Sequence, residues 1–160
     1  MIKHIFSITG KNYRQSAPLF LRLTIGFGFM AHGWAKLIKG PEAFGNLLAQ
    51  IHVPFPHAMA WMSTLTELVG GLAMFAGFMV SLTALPLIGI MLVAMFGIQI
   101  HYGFSSVKTI GLTPNGPVFG PPGYEINLLY IAGLISLLIS GGGIFSVDSI
   151  LSSKRGTTKS

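Results

Sequence analysis

No cysteine occurs among the 160 residues, which excludes a disulfide framework, thiol–disulfide chemistry and thiolate-ligated clusters. Acids are almost as scarce: Glu42, Glu67, Glu125 and Asp148 are the full set. Charged residues make up 9% of the chain against 51% hydrophobic, where an ordinary globular domain carries roughly 25% charge. So few charges cannot keep a water-facing surface dispersed. The N-terminal stretch MIKHIFSITGKNYRQ has no continuous apolar core followed by a small-residue cleavage site, so the first span is expected to serve as an uncleaved anchor. A dinucleotide fingerprint and an internal repeat are also missing. The composition is that of a single-domain chain whose solvent is lipid.

The bases that are present cluster towards the ends, as Lys3, Lys11, Arg14 and Arg22, then Lys154, Arg155 and Lys159. Flanking apolar spans, they read as topology signals and contacts to anionic headgroups, and the net charge of +6 does not indicate nucleic acid. A hydrocarbon core of about 30 Å takes about 20 apolar residues per helix. On that measure the spans fall at about 18–38, 58–78, 81–102 and 124–140. Pro18 is expected at the first helix start. Gly77 and Ser81 are expected to stop the second span and start the third. The prolines of HVPFPH prevent a regular helix through that point, and 103–123 reads as an ordered loop or re-entrant cap.

The expected fold is therefore an all-α integral membrane protein, an antiparallel bundle of four transmembrane helices. Residues 1–17 form a cytoplasmic N-terminal segment, 18–145 the membrane domain and 146–160 a cytoplasmic tail. With both termini inside, only Lys36, Lys39 and Lys108 lie outside, which suits the positive-inside rule.

This topology brings scattered polar residues into the outer half of the bundle. His32 and Lys36 lie near the end of helix one, Glu67 within helix two, Gln99 and His101 at the end of helix three, and Glu125 and Asn127 at the start of helix four. Each has a plainer reading: Glu125 favours a helix N-terminus, Lys36 snorkels outward and Arg22 inward, and Met91 with Met95 simply packs. Glu67 resists such a reading. It opens a run from Leu68 to Val107 without one Asp, Glu, Lys or Arg, and an acid within a span is a functional-site candidate. Its expected partner is His32, Lys36 or His101.

RLTIGFGFMAHGWAKL (22–37), ELVGGLAMFAGF (67–78), GPPGYEINLLYIAG (120–133) and GGGIFSVDSIL (141–151) resemble, in order and spacing, the DoxX family of small four-helix bacterial inner-membrane proteins. The likeness rests on Arg22, His32, Gly33, Lys36, Leu37, Glu67, Leu68, Gly70, Gly71, His101, Tyr124, Glu125 and Asp148. At the turn between helices two and three the chain has MVSLTAL, where many members carry Thr-Arg. The resemblance implies the fold more than the function: some relatives are linked to quinone-dependent oxidation of sulfur compounds, or to membrane complexes that resist oxidative stress, and many have no assigned activity.

The resulting expectation is a quinone-linked redox subunit of the bacterial inner membrane, working with a membrane or periplasmic oxidoreductase partner. Glu67, His32 and His101 would handle protons, since imidazole titrates near neutral pH. Lys36, Gln99, Glu125, Arg22, Trp34 and Tyr124 would contact the ligand, with Phe29, Trp34 and Trp61 lining its slot. A second reading is a divalent metal on His32, Glu67, His101 and Glu125, or haem between His32 and His101. A third is a non-catalytic scaffold or small-molecule carrier whose polar cluster braces the helices.

Overall fold

The computed structural model describes residues 11–156, with side chains over 16–153; Lys3 and Lys159 lie outside that range. Among the described residues six α-helices follow in order: α1 (Lys11–Lys39), α2 (Pro41–Gln50), α3 (Pro56–Ala76), α4 (Val80–Gly97), α5 (Glu125–Ser140) and α6 (Val147–Gly156). A 3-10 turn, Gln99–Tyr102, follows α4. Strands β1 (Thr109–Thr113) and β2 (Gly116–Phe119) form an antiparallel hairpin before α5.

The four long helices pack antiparallel. Gly26 of α1 lies against Gly71 and Phe75 of α3, while Gly33 lies against Leu68 further back along it. A Cβ on Gly26 would stand 2.6 Å from the Phe75 nitrogen, and one on Gly71 2.8 Å from the Met30 nitrogen. Only glycine lets these two backbones come so close, as small residues do between membrane helices. Phe29, Met74, Leu87, Leu134 and Leu137 form the heart of the buried core, drawn from all four helices. Outside it, each helix exposes an apolar stripe: Phe20, Phe27 and Trp34 on α1, Leu65, Val69 and Leu72 on α3, Leu82, Leu85 and Val93 on α4, Leu129 and Ile139 on α5. A monomer in water rarely shows apolar patches of that extent. α3 and α4 are long and apolar enough to cross a bilayer.

The α3–α4 turn is built from charges at both helix ends. α3 closes in a Schellman motif, with Gly77 N–H donating to Met74 O (3.1 Å) and Phe78 N–H to Ala73 O (2.8 Å). Gly77 has φ 75° and Met79 φ 47°, and a side chain in that region needs surroundings that hold it there. Asp148 supplies them, its carboxylate accepting from Met79 N (2.8 Å) and Val80 N (3.1 Å). On the α3 side Arg22, 3% exposed, donates to the carbonyls of Phe75 (2.8 Å) and Phe145. An anion thus meets the N-terminus of α4 and a cation the C-terminus of α3, each on the favourable pole of its helix.

Several expectations need correcting. Pro18 lies inside α1; the helix runs through it at the loss of one backbone bond. Arg22 does not snorkel, because two carbonyls hold it in the interior. Ser81 does not start the third helix: α4 begins at Val80, capped by Asp148, and the Ser81 hydroxyl donates to Leu138 O (3.1 Å). α4 stops at Gly97 rather than reaching Tyr102. The segment 103–123, expected as a loop or cap, contains the hairpin, while the short helix α2 ends before HVPFPH, in keeping with the break expected there.

Candidate functional site

The end of the bundle away from Arg22 holds a cavity of about 560 Å³, within the size range of small-molecule sites. Its walls come from α1, α2, α3, α4 and the first turns of α5, with mostly apolar side chains such as Leu48, Met59, Met62 and Ile90. Into this surface α1 and α3 place an ion pair. Lys36 Nζ lies 2.7 Å from Glu67 Oε1 and also donates to Ser63 Oγ at 3.1 Å. The geometry follows from helical spacing, since Ser63 and Glu67 stand one turn apart on α3. Gly33 lets α3 close in, for a Cβ there would reach within 2.8 Å of Leu68 Cγ. From α2 the Phe44 ring covers the ammonium at 4.2 Å, a cation–π contact.

Glu67 is 3% exposed and the Lys36 side chain 23%. Among the described residues Glu67 Oε2 is buried without a hydrogen-bond partner. A buried carboxylate oxygen with no donor is costly, so the site is one donor short.

Of the expected partners of Glu67, Lys36 is the one it meets. His32 lines the same cavity one turn away, without a bond to the carboxylate. Gln99 lines it too, from the far wall, within 3.5 Å of Asn127 Nδ2. The other expected residues stand elsewhere. His101 is exposed in the 3-10 turn. Glu125 accepts from Ser106 N (3.0 Å) and pins the loop before α5. The Tyr124 ring packs edge-on against Phe104. Trp34 is exposed on α1, and Arg22 lies at the opposite end. Phe29 is in the core against Tyr130, and Trp61 points Nε1 at Glu42 (3.4 Å), so neither lines a slot. His32, Glu67, His101 and Glu125 do not converge, and no group of three metal-ligating side chains occurs among the described residues. These residues fit neither a metal nor a bis-histidine haem.

Sequence reading missed Ser63, Phe44 and Tyr130. Ser63 could have been found from its one-turn spacing to Glu67; the other two depend on how separate helices pack.

Apolar helices, an apolar exterior and an apolar cavity walled in part by a buried ion pair define a small helical membrane protein. The sequence model of the DoxX family matches residues 17–100, more than half of the chain, which spans α1 to the start of the 3-10 turn. The chain belongs to the DoxX family. No curated protein and no solved structure matches it.

Proposed function

We propose that α1, α3, α4 and α5 all cross the bacterial inner membrane, with both termini in the cytoplasm. In this reading the cavity faces the outer side and binds a quinone-like ligand for a redox partner protein. The observation that carries the reading is the buried Lys36–Glu67 pair, with its unpartnered oxygen, on the wall of an otherwise apolar cavity. The pair has no net charge, so it suits a neutral guest. Apolar walls accept a ring and tail, Lys36 offers a proton donor to a carbonyl, and Glu67 offers an acceptor to a hydroxyl. Reduction of a quinone to a quinol takes two electrons and two protons. The partner oxidoreductase supplies the electrons, and the proton route runs through Glu67 with His32 beside it.

The test follows the Glu67 carboxyl by infrared difference spectroscopy from about pH 5 to about pH 9, with and without a soluble quinone and with Glu67→Gln as the blank. A band that responds to quinone is the expected result. A carboxylate silent to every added ligand would leave the pair as a brace between α1 and α3.

The orientation has its own check, made easy by the lack of native cysteine. Single cysteines at Ser7, Asn115 and Ser153 should separate by side, and an impermeant thiol reagent on intact cells should label position 115 alone. Labelling at 7 or 153 would reverse the topology.

A further inference from the structure

Across the cavity from the ion pair lies a second polar cluster that the proposed function leaves unused. Asn127 sits in the first turn of α5, 3% exposed, and lines the cavity. Its Nδ2 donates to Met91 O at 3.4 Å and approaches Gln99 Oε1 at 3.5 Å. Both contacts are at the long end for hydrogen bonds, so they hold the amide loosely. Met91 Sδ lies 3.9 Å from the same nitrogen, and because the Met91 carbonyl can only accept, it is Nδ2 that faces it. Its Oδ1 then points away from them and has no partner among the described residues. One turn along, Tyr130 also lines the cavity, its hydroxyl lodged against Gly28 in a position that any side chain there would displace.

From this we infer that Asn127, with Gln99 and Tyr130, is a second binding pole that selects ligands able to hydrogen-bond at two opposed ends. The inference rests on the reading of the cavity as a ligand site and specifies what enters it. Each pole pairs a donor with an acceptor: Lys36 with Glu67 at one, the Gln99 amide or Tyr130 hydroxyl with Asn127 Oδ1 at the other. Such a pole meets a carbonyl with its donor and a hydroxyl with its acceptor. The site therefore accommodates a two-ended ring in either redox state, whereas an amphiphile with one polar head satisfies one pole and leaves the other desolvated. The selection is a matter of unpaired groups, which discriminate more sharply than apolar fit does.

The experiment compares equilibrium binding of radiolabelled 2-decylhydroquinone and 3-decylphenol to the full chain in lipid nanodiscs. The two probes share ring and tail but carry two opposed hydroxyls or one. Wild type should bind the hydroquinone about tenfold tighter, the worth of one well-made hydrogen bond. Asn127→Leu should bring the hydroquinone down to the phenol's affinity and leave the phenol unchanged. Gln99→Leu and Tyr130→Phe should narrow the same ratio, and they carry the test if the Asn127 variant does not fold. A ratio kept in all three variants, or an equal loss for both probes, overturns the second pole. Wild type binding both probes alike overturns it too, with the cavity's role as a ligand site intact. Binding of neither probe overturns the reading of the cavity itself.

Discussion

Lys36→Met should destabilise the protein by about 3–5 kcal/mol, the cost of leaving one member of a buried ion pair alone. The loss falls at the upper end of that range because Glu67 is 3% exposed and Oε2 already lacks a donor; the substitution strips Oε1 as well. Glu67→Leu should cost less. The Lys36 side chain is 23% exposed and long enough to lift its ammonium towards a polar surface. The double variant should regain most of the stability, since two apolar side chains of similar size suit the surrounding wall. Thermal unfolding of the four proteins in one detergent checks all three statements. Equal midpoints for wild type and Lys36→Met would mean that the pair contributes nothing. The double variant also separates fold from function, because a folded protein without the pair should have lost its response to quinone.

Gly26→Val should be comparably damaging for a different reason. The added carbon would stand 2.6 Å from the Phe75 nitrogen and 2.7 Å from the Gly71 carbonyl, and backbone atoms cannot rotate aside. Overpacking of this kind costs about 1–3 kcal/mol, and the upper figure is expected because α1 and α3 must part along their length. Parting them also draws Lys36 away from Glu67, so ligand binding should fall along with the unfolding midpoint. Gly89→Ala is the control. Its Cβ meets nothing within 4 Å, and alanine favours a helix, so the midpoint should hold or rise. If Gly26→Val unfolded no earlier than Gly89→Ala, the close approach of α1 and α3 would be refuted.

What the sequence revealed follows the range over which each residue acts. The long helices could be read because span length and hydrophobicity are local properties. Glu67 stood out as an acid beside a long uncharged run. Choosing Lys36 over His32 as its partner was not possible, because the two lie one turn apart on one face and a small rotation of α1 decides between them. α2 was not singled out, being too short to register as a span, although Pro41 suits a first helical turn. The hairpin carried a signal in Asn115-Gly116 between Leu112 and Val118, hidden by the prolines around it. Asn127 was placed at a helix start but not in a site, and Tyr130 was overlooked, since each depends on α5 packing beside α4 and α1. Arg22 was the least legible. Its acceptor at Phe145 lies 123 residues away, and nothing near either residue announces the other.

That separation bears on how the protein is made. The turn joining α3 to α4 is synthesised well before the carboxylate that caps it, which belongs to Asp148, 69 residues beyond Met79. Until Phe145 and Asp148 have been made, Met79 and Val80 lack their acceptor and Arg22 lacks one of its two carbonyls. The α3–α4 hairpin therefore forms with its corner unsealed, and the segment that holds Phe145 and Asp148 fastens it later.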